Sequence, residues 1–185
     1  MKKKIAVAIT GASGSIYAQR LLDILIHQEN IEIGLVLSKN AKEVWNLEIG
    51  EVFKAPDSIK VYEFHDYFAP FASGSSKYEA LVIVPCSMGT AARIAHGLSD
   101  DLITRTADVM LKEKRKLICV IRDTPLNLIH LKNLVSIAEA GGIVLPAAPS
   151  FYSKPQNIEA LVDTVVHRII DHLNIEISTF RWGEN

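Results

Sequence analysis

The sequence predicts a single-domain α/β protein with a Rossmann-like, flavodoxin-like, doubly wound parallel sheet and helices on both faces. Three features support this fold class: short apolar runs recur along the 185 residues, helical patterns separate most of them, and the first run leads straight into a glycine-rich loop. Such alternation is typical of parallel sheets. A chain of this length fits one domain. We expect residues 1–185 to form that domain, with 175–185 as a C-terminal tail.

Each predicted strand is a short run of β-branched and other apolar residues. The uninterrupted run Leu-Val-Ile-Val at residues 81–84 indicates a strand that helices cover on both faces. The runs expected to form strands span residues 5–9, 31–37, 81–84, 117–121 and 143–145, with 61–64 as a candidate sixth strand.

The predicted helices fall between these runs. Residues 16–26 and 128–138 carry apolar side chains at spacings of three and four, as amphipathic helices do, and 158–173 is also expected to be helical. Thr124 is the expected N-cap of the second helix, with Pro125 at its first helical position.

The composition argues against several classes of function. A formal charge of −1 and the lack of a long basic run provide no field that would attract nucleic acid or an anionic membrane. No segment reaches about 18 uninterrupted apolar residues, so no membrane span is expected. Cys86 and Cys119 are the only cysteines and form no Cys-x-x-Cys pair, which leaves a disulfide framework with little support. We therefore expect a cytoplasmic protein that binds neither nucleic acid nor membrane.

The loop after the first predicted strand has the composition of a ligand cradle. Glycines allow a backbone to approach a ligand closely, and a helix N-terminus offers free N–H groups and a favourable dipole. The loop therefore indicates a phosphate or flavin cradle, with a tight turn that binds nothing as the alternative. It reads Thr10-Gly11-Ala12-Ser13-Gly14-Ser15, and a helix is expected to follow at once.

Two other nucleotide-binding classes do not fit this loop. A short-chain NAD(P) dehydrogenase needs a tyrosine with a lysine four residues later, and none of the five tyrosines has one. Tyr17 replaces the third glycine of the dinucleotide fingerprint, and the second strand ends at Ser38 and Lys39 rather than at an acidic residue. No Gly-Lys-Ser/Thr follows the loop, which excludes a P-loop NTPase.

Metal-dependent chemistry finds no support in the sequence. The six histidines lack a ligand spacing such as His-Glu-x-x-His. Asp100 and Asp101 resemble the start of an Asp-rich diphosphate motif, but the run ends at Thr104, and a helix cap explains the segment better. We therefore expect no metal site and turnover without a metal.

Two more loops are expected at the same edge of the sheet, where the carboxyl ends of parallel strands can face one crevice. Arg122 follows the strand at 117–121, and its planar guanidinium suits a phosphate. The loop after the strand at 81–84 offers hydroxyl groups, a glycine and a helix start, although its hydroxyl groups also fit ordinary helix capping and its cysteine fits a small buried side chain. This loop reads Pro85-Cys86-Ser87-Met88-Gly89-Thr90.

Seven short motifs follow one another along the chain. They are Thr10-Gly11-Ala12-Ser13-Gly14, Ala72-Ser73-Gly74-Ser75, Pro85-Cys86-Ser87-Met88-Gly89-Thr90, Arg105-Thr106-Ala107-Asp108-Val109, Leu111-Lys112-Glu113, Phe151-Tyr152 and Arg181-Trp182-Gly183. In this order they resemble the UbiX/Pad-type flavin prenyltransferases, and the resemblance extends from about residue 5 to residue 183.

The resemblance implies an enzyme that attaches a dimethylallyl group from dimethylallyl phosphate to reduced FMN. The allylic phosphate would leave, and bonds would form to N5 and C6 of the flavin, which closes a fourth ring. The residues that would hold FMN are Gly11, Ala12, Ser13, Ser38, Ser87, Met88, Gly89, Thr90 and Arg122.

By the same resemblance, Lys112, Tyr152 and Arg168 would bind the phosphate of the donor. Composition alone describes these residues as a solvated helix-end lysine, a packed loop aromatic and a helix-surface arginine. Glu48 would carry a proton near the flavin, and Glu48, Ser13 and Lys112 are the expected catalytic residues.

The resemblance also implies partners. The family forms large symmetric homo-oligomers, dodecamers, with sites at subunit contacts, and passes its product to a UbiD-type decarboxylase. Asp123 stands where many relatives have glutamate and Tyr67 where some have tryptophan, so the family's roles at these two positions are not carried over.

Two other functions remain open at this point. One is an FMN-dependent cysteine-type decarboxylase of the same superfamily, whose second cofactor loop is of an Ala-Ser-Ala-Asn type unlike residues 85–90. The other is a non-catalytic FMN-binding accessory subunit of an aromatic-acid decarboxylase, which would need no second phosphate pocket.

Overall fold

The computed structural model describes residues 2–183 and contains a six-stranded parallel sheet. The strands are β1 (Lys3–Ile9), β2 (Ile31–Leu37), β3 (Lys60–Tyr62), β4 (Tyr78–Cys86), β5 (Lys116–Ile121) and β6 (Ile143–Pro146). Their order in the sheet is β3-β2-β1-β4-β5-β6, and each neighbouring pair is parallel. This is the strand order of a doubly wound Rossmann sheet. The chain adds β2 and β3 on one side of β1 and then β4, β5 and β6 on the other, so the strand order reverses between β1 and β4. The predicted fold class is confirmed.

Residues 2–183 form six α-helices and one short 3-10 helix, which lie between the strands except for α6, which follows β6. The helices are α1 (Ser15–Ile26), α2 (Ala41–Ile49), α3 (Met88–Ala95), α4 (Leu102–Lys112), α5 (Leu128–Glu139) and α6 (Ile158–His172), and the 3-10 helix is Pro70–Ala72. The sequence pattern does not predict α2, because only Ala41 and Trp45 of its nine residues are buried.

The helices form two layers, one on each face of the sheet. Helices α1, α2 and α6 pack against one face, and α3, α4 and α5 pack against the other. In β1, the side chains of Ile5, Val7 and Ile9 face the first layer, and those of Ala6 and Ala8 face the second. Residues 81–84 of β4 are fully buried as well. The expected burial of this strand on both faces is confirmed.

The expected start of α5 at Thr124 and Pro125 is wrong. The side chain of Asn127 is the N-cap, because its amide oxygen accepts the N–H of His130 at 2.9 Å. This bond satisfies one of the free N–H groups of the first turn. Residues 124–126 therefore lie outside the helix.

The chain that follows α6 lies against the body of the protein. Ile175 and Ile177 pack against the core of the first layer, and the segment at 179–182 contacts α6. Glu184 and Asn185 of the predicted tail, like Met1 of the predicted domain, lie outside the described residues. Among residues 2–183, no helix is long and apolar enough to cross a membrane.

Candidate functional site

The loops that follow β1 and β4 meet where the strand order reverses. Thr10 Oγ1 donates a hydrogen bond to the carbonyl of Pro85 at 2.7 Å and accepts one from the N–H of Ser87 at 2.9 Å. Thr10 is 2% exposed, so these bonds are shielded from water. The two loops are therefore joined at the position where open α/β sheets bind ligands.

A cavity of about 420 Å³ opens between these loops, and we call it the crevice cavity. This volume is within the range of cofactor and small-molecule sites. A Cβ atom at Gly11 would lie 2.9 Å from Cβ of Asn40, so a larger residue would force the loop away. The lining residues are the predicted Gly11, Ser38, Ser87 and Thr90, together with Lys39, Asn40, Phe64, His65, Arg93, Asp100 and Asp101.

The first turn of α3 presents its backbone to this crevice. Ser87 Oγ accepts the N–H of Thr90 at 3.2 Å, so the capping alternative is observed as well. A Cβ atom at Gly89 would meet no atom within 4 Å, which leaves bare backbone beside open space. Met88 is 5% exposed, so its backbone rather than its side chain faces the ligand side. An N-terminus of this kind suits an anion.

The N-terminus of α1 is occupied by a carboxylate from α2. Glu48 accepts the N–H of Gly14 at 2.9 Å and the N–H of Ser15 at 2.7 Å. Partial burial raises the pKa of Glu48, but hydrogen bonds from the Ser13 side chain and from these two N–H groups outweigh it and leave the pKa below its ordinary value. Glu48 is therefore ionised at neutral pH. It contacts Gly14 directly although the two residues are 34 positions apart in the sequence.

Arg122 contacts the same loop from the carboxyl end of β5. Its Nε donates to the carbonyl of Ser13 at 2.9 Å. Gly14 has a φ of +111°, and a Cβ atom there would lie 3.1 Å from the Tyr17 ring and 3.4 Å from Cγ of Arg122. The positive φ therefore favours glycine, and a Cβ atom would also crowd the Tyr17 ring. Arg122 thus lies beside the first loop, but it does not line the crevice cavity.

Arg93 is a cation of the crevice cavity that the sequence patterns do not single out. Its NH1 lies 2.6 Å from Oδ2 of Asp101, and its NH2 lies 3.4 Å from Oγ1 of Thr90. Asp101 is 1% exposed and caps α4, as predicted, by accepting the N–H of Thr104. The three-residue spacing from Thr90 to Arg93 on α3 is the signal that could have found it, because such residues share a helix face.

Tyr152 and Arg168 line a second cavity, of about 560 Å³, which we call the α6 cavity. NH1 of Arg168 pairs with Oδ2 of Asp171 at 2.7 Å, and 61% of the arginine side chain is exposed. The Tyr152 ring meets that of Trp182 edge-on, with the ring centroids 4.8 Å apart. No described residue lines both the crevice cavity and the α6 cavity.

Lys112 lines neither of these two cavities. It is the last residue of α4, and its Nζ lies 2.9 Å from Oε1 of Glu113. Helices of a doubly wound sheet return the chain to the amino edge, and α4 leads into the start of β5, so Lys112 lies away from the crevice. The expected grouping of Lys112 with Tyr152 and Arg168 is therefore not found within one chain.

The cysteines and the acidic residues offer no second chemistry. A hydrogen bond with Cys119, together with burial, raises the pKa of Cys86, and both thiols are buried. Cys86 is thus a packed side chain, as the sequence suggests, and not a nucleophile. In the described part of the chain, no group of three or more histidine, cysteine or acidic residues has an arrangement that could hold a metal ion.

Comparisons with known proteins identify the family of this chain. The family model described as Flavoprotein matches residues 1–170. The flavin prenyltransferase UbiX of Methanocaldococcus jannaschii is 46% identical over 183 residues, which cover 97% of this chain and 98% of that protein.

Two solved structures extend the comparison. The first is AnUbiX (PadA1) in complex with FMN and dimethylallyl pyrophosphate, with a TM-score of 0.86 and 38% identity over 98% of this chain and all of that chain. The second is a dodecameric FMN-dependent Ubix-like decarboxylase from Escherichia coli O157:H7, with a TM-score of 0.90 and 36% identity at the same coverage. The chain belongs to the flavoprotein family and, within it, to the flavin prenyltransferases of the UbiX type.

Proposed function

We propose that this chain holds reduced FMN in the crevice cavity and transfers to it a dimethylallyl group from dimethylallyl phosphate. One observation carries the proposal: the described residues form two separate cavities, the crevice cavity and the α6 cavity, and cations line both of them. A flavin carrier would need the first alone. The relative that was solved with FMN and dimethylallyl pyrophosphate supports both ligands.

The residues of the crevice fit FMN. Loop backbone at Gly11 and Ala12, the first turn of α3 and the guanidinium of Arg122 offer N–H donors, and Ser38 adds a hydroxyl group. Such donors suit the phosphate and the polar ring edge of a flavin. Bound reduced flavin supplies the nucleophilic N5 and C6 atoms to which the allylic carbons attach.

Cations are needed around the phosphate group of the dimethylallyl donor. As its carbon–oxygen bond breaks, the phosphate leaves with the electron pair and gains negative charge, which positioned arginine and lysine groups stabilise. Arg168 and Lys112 would provide this charge, and the Tyr152 hydroxyl would add a hydrogen bond. No metal is required for this role.

Glu48 would be the proton acceptor. It is a carboxylate at neutral pH and contacts the loop after β1 through Gly14 and Ser15, so it would take up a proton that the flavin loses as the new bonds form. The Ser13 side chain, which hydrogen-bonds Glu48, would hold the carboxylate in place.

We further propose that the working enzyme is a homo-oligomer, a dodecamer, in which different copies complete one site. Within one chain, Lys112 lies apart from both cavities, and the two cavities share no lining residue. Contacts between copies would bring the α6 cavity and Lys112 to the crevice of a neighbour. Leu128, Ile129, Leu131 and Val135 of α5 are exposed and apolar, as residues of a subunit contact would be.

We propose that the product leaves the site and becomes the cofactor of another enzyme, a UbiD-type decarboxylase, in the cytoplasm. Two alternatives predict other outcomes. An accessory subunit would return FMN unchanged, and a cysteine-type decarboxylase would release carbon dioxide from a peptidyl-cysteine substrate.

The test is anaerobic incubation of the protein with reduced FMN and dimethylallyl phosphate, followed by mass analysis of the extracted flavin. We expect the flavin to gain one C5H8 unit, with the same yield in the presence of EDTA. A parallel reaction with dimethylallyl diphosphate compares the two donors. Unmodified flavin, or an activity that disappears in EDTA and returns with magnesium, would contradict the proposal.

A further inference from the structure

A second guanidinium lies beside Arg168 in the α6 cavity. NH1 of Arg181 is 2.7 Å from Oδ1 of Asp171, and NH1 of Arg168 is 2.7 Å from Oδ2 of the same carboxylate. The Asp171 side chain is 18% exposed. One shielded carboxylate therefore holds two arginine side chains next to each other, and all three residues line the cavity.

The cavity carries an excess of positive charge. Asp163 is matched by Arg20, which donates hydrogen bonds to both of its oxygens at 2.8 and 2.7 Å. Since Arg20 lies outside the lining, Asp171 is the one lining anion among the described residues that is left to balance the three lining cations. The lining cations are Lys154, Arg168 and Arg181, and the lining anions are Asp163 and Asp171.

The two arginines keep unused donors. A guanidinium has five N–H groups, and in the described part of the chain the guanidinium groups of Arg168 and Arg181 each contact one partner, Asp171. The remaining N–H groups are available to an anion. Two planar forks beside each other suit a phosphate, which presents three terminal oxygens.

Two contacts fix the segment that carries Arg181. Thr179 Oγ1 lies 2.6 Å from Nδ1 of His167, and the Trp182 ring packs edge-on against Tyr152. Burial lowers the pKa of His167, so its ring is neutral at neutral pH and the bond to Thr179 adds no charge. Arg181 lies between these two anchors, so its position in the cavity is set before a ligand binds.

We propose that Arg181 is a further phosphate-binding residue of the donor site, beside Arg168, and that Asp171 is a positioning residue for Arg168 and Arg181. The inference rests on the proposed function, since it assigns a further residue to the same reaction. The phosphate of the donor is already anionic when it binds, and two guanidinium groups hold it more tightly than one does. The C-terminal segment is then part of the site rather than a cover over it.

The test compares Arg181→Met with Arg168→Met, because methionine keeps an unbranched apolar side chain and removes the charge. With saturating reduced FMN, we expect each variant to raise the KM for dimethylallyl phosphate by about ten- to a hundredfold, with FMN affinity unchanged. Arg181→Lys, which keeps the charge without the fork, should recover part of the loss. Asp171→Asn should raise the same KM several-fold at an unchanged unfolding midpoint.

Three further comparisons decide between outcomes. Lys54→Ala removes an exposed cation that lines neither cavity and should leave the KM as it is. Thr179→Val weakens tail docking and keeps both arginines, so equal KM increases in Thr179→Val and Arg181→Met would overturn the inference. An Arg181→Met variant with the parent KM, beside an Arg168→Met variant with a raised one, would overturn the inference and leave the proposed function intact. A parent protein that does not prenylate flavin would overturn both.

Discussion

Glu48 combines a structural contact and a proposed chemical role in one side chain. Its carboxylate holds the N-terminus of α1 through Gly14 and Ser15, and that helix begins at the end of the glycine-rich loop after β1. In Glu48→Gln the side chain keeps its size and one acceptor oxygen but cannot take up a proton. We expect FMN binding to persist and single-turnover prenyl transfer to slow by roughly 10². Glu51→Gln, an exposed neighbour, is the matched control, and equal rates in both variants would leave Glu48 with the structural role alone.

The depressed pKa of Glu48 also predicts a pH dependence of stability. A carboxylate whose pKa is lower in the folded state stabilises the fold above its ordinary value of 4.5. That contribution is lost as the pH falls through the folded pKa. We expect the unfolding midpoint in urea to be higher for the parent than for Glu48→Gln near neutral pH, and the difference to close as the solution is acidified below that pKa. A difference that grows on acidification would have the wrong sign.

At the scale of elements, Asp101 joins two helices that border the crevice. It caps α4 through the N–H of Thr104 and pairs with Arg93 of α3. Asp101→Ala removes both contacts and should cost about 2–4 kcal/mol, whereas Asp101→Asn keeps a good cap, loses the charge and should cost about half as much. Urea denaturation of the two variants measures the difference. Equal losses would mean that the cap contributes nothing beyond the ion pair, and an unchanged stability of Asp101→Asn would mean that the ion pair contributes nothing.

The sequence predicts those elements whose conformation depends on local chemistry. The glycine-rich loop after β1 and the buried run of β4 are visible because local chemistry requires glycine at Gly11 and Gly14 and apolar residues on both strand faces. Helix α2 is not visible, because it buries two side chains and leaves no clear period. The contact of Glu48 with Gly14 depends on tertiary packing, and no spacing along the chain encodes it.

In the assembled protein, Lys112 and Arg168 of different copies can be tested for a shared site. If these residues act on one donor from different copies, Lys112→Ala and Arg168→Ala chains should complement each other when they assemble together. A random mixture would restore about a quarter of the sites, while the doubly substituted homo-oligomer stays inactive. Coexpression with two affinity tags, light scattering and the flavin mass assay provide the measurement. Hybrids no more active than their parents would place both residues in one copy's site, or in none.

Thr10 affects the entropy that is lost when a ligand binds, although it adds no contact to the ligand. Because its hydroxyl group bonds to both Pro85 and Ser87, the width of the gap between the loops after β1 and β4 is set before any ligand binds. Little ordering entropy is then lost when a rigid ring system enters, and that saving appears directly as affinity. A Thr10→Val chain would keep every donor in the crevice and still hold flavin more weakly, with a more unfavourable binding entropy in calorimetry.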